Sequence, residues 1–255
     1  MLAQLKIAKG DVAALQAVPA SEVVRAAFAL GGVMTLGPVV DGRALPRNPF
    51  TPDAPPQSAG VPVMIGTNKD ESTLFTAFDP SFGRLTEADV AARARAQGGP
   101  AADAVLEALR KIHPDYGPGH LLAAYSTSTT FWGGSVALAE RKAAQKAAPV
   151  WMYRLDWETP IAGGVLKSPH MLEIPLIFDN VERSRGYVGP GPAPQALAEQ
   201  MSAAWIAFAR TGDPSTPRLA PWPPYEPPRR ATMTFDLESR IQDDPWPELR
   251  QAVQT

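Results

Sequence analysis

The apolar residues of this chain come in short bursts separated by polar or proline-rich intervals. The sharpest contrast is VPVMIGTNKDESTLF, Val61 to Phe75, where an apolar run broken only by Pro62 meets Asn68-Lys69-Asp70-Glu71-Ser72 before turning apolar again. The run Val61 to Gly66 shows no alternation of sides, which predicts a short strand buried on both faces and paired in parallel. Upstream, Asp11 to Val18 and Ser21 to Leu30 have helical spacing, with Ser21 as N-cap and Gly31-Gly32 as the stop. LGPVVDGRALPRNPF predicts a short strand, a turn at Asp41-Gly42 and a proline-rich loop. Downstream, Thr86 to Ala96 predicts a helix capped by Thr86 with Asp89 at its third position. Ala101 to Ile112 predicts another, ended by His113-Pro114. Phe131 to Lys146 is helical by spacing, and PVWMYRLDW begins a strand. Ala196 to Arg210 is an amphipathic helix with Trp205 and Phe208 on one face, and Ala231 to Leu237 is expected to end the regular structure as a strand. Helices alternating with short apolar strands predict the α/β class, a mostly parallel sheet flanked by helices.

Composition changes this picture little. At 255 residues the chain can bury one sizeable core or two modest ones. A formal net charge of −2 gives no electrostatic case for nucleic acid or an anionic membrane as partner. The absence of cysteine removes disulfides, thiol catalysis and zinc–thiolate sites, and is compatible with a reducing cytoplasm. No segment reaches the ~18 apolar residues of a membrane span. The 28 prolines cluster at 44–62, 189–194 and 214–228, and read as ordered loops.

Candidate chemistry narrows to a few side chains. In open parallel sheets, ligands sit beyond the carboxyl ends of the strands. Glu71 follows such a strand, so it either caps a helix or is a charge held for chemistry. Of three histidines, His113 ends a helix and His120 lies in the Gly/Pro-rich GPGHLL, both expected in loop or capping roles. They stand seven apart with only Asp115 between them, which gives no metal-ligand pattern. His170 lies in VLKSPHMLEIPLIFDN, after the aromatic strand and before an apolar segment, and reads equally as a loop residue or a base. A hydroxyl nucleophile needs a base to take its proton and a third group to orient that base. Glu71 and His170, in that chain order, supply the last two roles.

These segments carry a family resemblance. VVDGRALPRNPF, VPVMIGTNKDESTLF, TTFWGGSVALAERKA, APVWMYRLDW, SPHMLEIPLIFDN, and WIAFARTGDPSTP with APWPPYEP together resemble the carboxyl-terminal half of the type-B carboxylesterases, a family that includes p-nitrobenzyl esterases and cholinesterases. The resemblance implies an α/β-hydrolase fold and hydrolysis of a small-molecule carboxylic ester without a cofactor. In the pattern G-T-N-x-D-E-x-x-x-F the Glu is the triad acid, here Glu71. In H-x-x-E-I-P-x-x-F the His is the triad base, here His170. Leu74, Phe75 and Leu172 match positions that look toward the ester pocket. Glu173 matches a buried supporting residue, and Asp70 is expected to point away from the acid in a solvated or loop-capping role. Ser128 and Ser72 depart from the residues usual in the family.

The nucleophile elbow G-x-S-x-G and the glycine-rich oxyanion loop do not occur in this sequence. The nearest string, PPQSAG, places Ser58 in a proline-rich loop leading into a strand, where an elbow requires a strand leading into a helix. The whole chain, 1–255, is therefore expected to be the carboxyl-terminal half of an esterase domain, inactive alone, with an apolar sheet edge uncovered. The alternatives are a non-catalytic interaction domain of the same fold, or a half-enzyme that meets a separate amino-terminal half.

Overall fold

The computed structural model describes residues 1–30 and 37–254. It divides into two compact units, Met1–Thr51 and Pro52–Thr255.

In the first unit, helix α1 (Val12–Gln16) is capped by Asp11, whose carboxylate accepts the Ala14 N–H at 2.9 Å. Helix α2 (Ala20–Phe28) begins one residue earlier than expected. Pro19 holds the N-cap position without a side-chain bond, so Ser21 lies inside the first turn. Proline's fixed φ suits a helix entrance, and that outweighs the serine's capping preference. The expected stop at Gly31-Gly32 lies outside the described residues. So does Leu36, and 37–40 form no strand; Val39 and Val40 are 74% and 51% exposed. The turn does form, because Asp41 Oδ1 accepts both Arg43 N–H and Leu45 N–H at 2.9 Å.

The second unit is built on a four-stranded sheet ordered β1-β2-β3-β4. In chain order its elements are β1 (Val63–Asn68), α3 (Thr73–Thr76), α4 (Glu87–Gly98), α5 (Ala102–Ile112), α6 (Pro118–Thr127) and α7 (Gly133–Ala144). Next come β2 (Val150–Leu155), α8 (Glu173–Ile177), α9 (Arg185–Val188), α10 (Ala193–Thr211), β3 (Ala231–Phe235), β4 (Arg240–Asp243) and α11 (Pro247–Gln254). β1, β2 and β3 run parallel, and β4 closes the far edge antiparallel to β3. Regular structure thus continues past Leu237 through β4 and α11, which the apolar pattern did not announce. The α4 capping box is present in full, with Thr86 and Asp89 bonded reciprocally.

Period-two alternation splits the sheet between two cores. Val63 and Ile65 of β1 and Val150 and Met152 of β2 pack with Val90, Leu106, Leu121, Tyr125 and Val136 of α4 to α7. Trp151 and Leu155, with Met64 and Tyr153 beside them, pack on the opposite face with Leu176 of α8 and Leu197 and Met201 of α10. Trp205 and Phe208 do share a face of α10, meeting Tyr153 and Trp151 edge-on at 4.9 and 5.8 Å between ring centroids. Strands covered on both sides explain the continuous apolar runs.

The outer edge of β1 has no strand beside it among the described residues. Val63 N–H bonds Pro149 O and Lys69 N–H bonds Leu155 O, so the odd-numbered residues turn their main-chain groups toward β2. Met64 and Gly66 turn theirs away. Gly66 itself is a packing requirement: a Cβ there would lie 2.2 Å from Tyr153 O. Among the described residues no helix is long and apolar enough to cross a membrane.

Candidate active site

The carboxyl ends of β1 and β2 carry the two segments of interest. After β1 the chain turns through Lys69 to Ser72 into α3. After β2 it loops through Leu166 to His170 before α8. The two segments run side by side and are tied at successive rungs. Thr73 Oγ1 donates to Leu166 O at 2.5 Å. Asp70 N–H donates to Ser168 O at 2.9 Å, and His170 N–H to Glu71 O at 3.1 Å. Ser168 Oγ also donates to Leu155 O at 2.9 Å, pinning the loop to the end of β2.

This ladder brings Glu71 and His170 together across 99 residues of sequence, with imidazole Nδ1 2.7 Å from Glu71 Oε2. The other carboxylate oxygen accepts the Asn68 N–H at 2.8 Å, which is the outward-facing amide at the end of β1. Glu71 is 5% exposed. Burial raises its pKa, against the opposing pull of the Asn68 N–H and of the imidazole. A carboxylate facing Nδ1 fixes the neutral ring as the Nδ1–H tautomer and leaves the lone pair on Nε2. Nε2 has no hydrogen-bond partner among the described residues, and the imidazole side chain is 35% exposed. The ring is thus anchored on one side and open on the other. Tyr187 Oη donates to His170 O and steadies the main chain at this point.

Of the pocket expectations, Phe75 is 63% exposed, with its ring centroid 5.4 Å from the imidazole, and Leu74 is half-buried on α3. Leu172 differs: it has no exposed surface and belongs to the second core, so its side chain presents nothing to the open side of the imidazole. Glu173 is half-buried and accepts the Asn68 side-chain amide at 2.5 Å. The same amide donates to Pro169 O at 2.7 Å, so Asn68 ties the strand end to the residue preceding His170. Asp70 points away from Glu71, as expected, but it is 1% exposed and not solvated.

Two residues at the site are not announced by the sequence pattern. Asn68 reads as one member of a polar string. Phe131 reads as the start of a helix. It stands instead in a π-helical turn, Ser128–Trp132, between α6 and α7, with its ring centroid 5.2 Å from the imidazole. Phe75 and Phe131 therefore both border the imidazole. The other two histidines lie elsewhere: His113 stacks on Tyr116 at 4.2 Å, and His120 Nε2 is 2.9 Å from Val165 O. Ser58 Oγ donates to Pro55 O in a 3₁₀ turn before β1, at the strand end opposite the Glu71–His170 pair. Among the described residues no group of three histidine or acidic side chains is placed to hold a metal ion.

The model of the carboxylesterase family matches residues 7–251. Para-nitrobenzyl esterase of Bacillus subtilis is 32% identical over 98% of this chain and 50% of its own length. Phenmedipham hydrolase of Pseudarthrobacter oxydans is 30% identical over 74% of this chain and 38% of its own. A carboxylesterase structure from Geobacillus stearothermophilus superposes with a TM-score of 0.83 at 37% identity, covering 99% of this chain and 53% of that one. A PNB esterase structure gives 0.75 at 30% identity, covering 99% and 52%. The chain thus spans half or less of the length of these curated relatives.

Proposed function

Since the chain belongs to the carboxylesterase family, we propose that it supplies the acid and base of a serine-esterase triad, Glu71 and His170, and corresponds to the carboxyl-terminal half of the esterase domain. The observation that carries this reading is the 2.7 Å contact of His170 Nδ1 with a buried Glu71, with Nε2 free on the open side. In the reaction, Nε2 takes the proton of a hydroxyl nucleophile as it attacks the ester carbonyl. Glu71 holds the Nδ1–H and stabilises the imidazolium that forms. The imidazolium then returns the proton to the departing alcohol, and the same cycle with water releases the acid. Burial makes Glu71 a stronger partner for the imidazolium, because its charge is poorly solvated otherwise. The substrate is a small carboxylic ester, in keeping with the family, and Phe75 and Phe131 offer it apolar surface beside the base.

The nucleophile must come from polypeptide that this sequence does not contain, since no G-x-S-x-G string is present. The isolated chain is therefore expected to show neither acyl-enzyme burst nor turnover with a chromogenic ester. A stoichiometric burst, abolished by Ser58→Ala, would refute that division of labour. Restored turnover on adding an elbow-bearing amino-terminal half would support it.

A further inference from the structure

We propose that Asp70, the buried carboxylate preceding the acid, is a positioning residue that sets the angle at which His170 is presented to Glu71. This rests on the reading of Glu71 and His170 as an acid–base pair. Three rungs join the two site segments, and the middle one is Asp70. Its N–H donates to Ser168 O at 2.9 Å, and its Oδ2 accepts the Ser168 N–H at 3.2 Å. Ser168 stands two residues before the base, with only Pro169 between, so its orientation fixes where the imidazole begins. The other oxygen, Oδ1, accepts the Tyr116 hydroxyl at 2.6 Å from the segment between α5 and α6. Lys69 Nζ lies 3.8 Å from Oδ2 and bonds Glu158 at 2.5 Å, so the buried charge has a cationic neighbour that is itself held.

Consecutive carboxylates thus divide the work. Glu71 takes the ring, and Asp70 takes the main chain that carries the ring. Asp70 touches neither the imidazole nor the open side where substrate would lie, so its influence passes through Ser168. A carboxylate is not strictly required for this. An asparagine can accept the Ser168 N–H through its carbonyl and donate its amide to a Tyr116 hydroxyl that has rotated to accept. An alanine leaves both donors buried and unpaired.

The test uses the His170 Nδ1–H, observed by NMR as a hydrogen-bonded imidazole proton, together with hydrogen exchange at the Ser168 amide. Asp70→Asn is expected to retain both signals. Asp70→Ala is expected to speed exchange of the imidazole proton by about tenfold or more. Lys142→Met serves as a remote control. Lys142 Nζ donates to Ser58 O and Ala59 O at 2.6 Å beyond the opposite end of β1, so its loss costs stability without touching the ladder. That control is expected to leave the imidazole proton unchanged. Should Asp70→Ala fail to fold, Tyr116→Phe removes one of the two donors on Asp70 and is expected to speed the same exchange to a lesser degree. The proposal is overturned if the imidazole proton is unaffected in a folded Asp70→Ala or in Tyr116→Phe, or if Asp70→Asn loses it as fully as alanine does. A wild-type chain with no protected Nδ1–H would instead undo the acid–base reading itself, a separate outcome.

Discussion

His113 provides a pH test of how tightly the ground beneath the site is packed. The residue caps the end of α5, stacks on Tyr116 and meets the edge of Trp246 at 5.9 Å between centroids. Burial, followed by the positive charges of Lys69 and Arg154, lowers its pKa from 6.5 to about 4, against the weaker pull of Asp115 and Asp156. A depressed folded pKa means that the unfolded chain binds a proton near pH 6.5 while the native state refuses it until about pH 4. The associated stability is present above pH 6.5 and is lost as the pH falls toward about 4. The full gap corresponds to about 3 kcal/mol, and because His113 is only half-buried, solvent screening reduces it to about 1–2 kcal/mol. The assay is urea unfolding at half-unit steps from pH 7.5 to 5.0, comparing wild type with His113→Gln. Glutamine forfeits the stacking but cannot titrate, so the wild-type curve should fall toward that of the variant by about 1 kcal/mol over this range. Parallel curves would show that His113 is protonated as readily folded as unfolded, and that the packing around Tyr116 is looser than described.

Two further perturbations probe the site and its strand. In Glu71→Gln the amide oxygen can still accept the Asn68 N–H, but the amide nitrogen now faces Nδ1. The ring proton should then move to Nε2, visible in imidazole ¹⁵N shifts, and an assembled esterase should lose turnover by a factor on the order of 10⁴. Persistence of the Nδ1–H form would contradict the bonding described for Glu71. Gly66→Ala places a methyl 2.2 Å from the main-chain oxygen of Tyr153, which no rotamer can relieve. A cost above about 3 kcal/mol in urea unfolding is expected, and a loss under about 1 kcal/mol would disprove the close approach of β1 and β2.

What the sequence disclosed and what it withheld follow the range of the forces involved. Capping of α4 by Thr86 and Asp89 depends on four consecutive residues, and it was legible. Glu71 and His170 each sit in a distinctive local string that singled them out, and the structure brings the two side chains to 2.7 Å. Helix α6 was hidden by its own opening, Gly117-Pro118-Gly119, which reads as a breaker. Proline at the first helical position costs nothing, and Gly119 is there because Phe82 O would lie 2.5 Å from any Cβ. β4 and α11 were missed for a related reason. The strand is short and largely open to solvent, and the helix begins on Pro247. Phe131 borders the imidazole from a π-helical turn, Ser128–Trp132, which a count of helical spacing does not announce. Leu172 lies in the second core, where burial among apolar neighbours, and not its distance from His170 along the chain, sets its place.

The lone-sided strand β1 has one more implication. Its last residue hands an amide to Glu71, and among the described residues no strand pairs with its outer flank. Glu71 therefore stands on an edge beam of the sheet. Whatever lies down along Met64 and Gly66 would stiffen that beam and, through the Asn68 amide, sharpen the hold on the imidazole without ever meeting it. Assembly and readiness for proton transfer would then be coupled through a single peptide group.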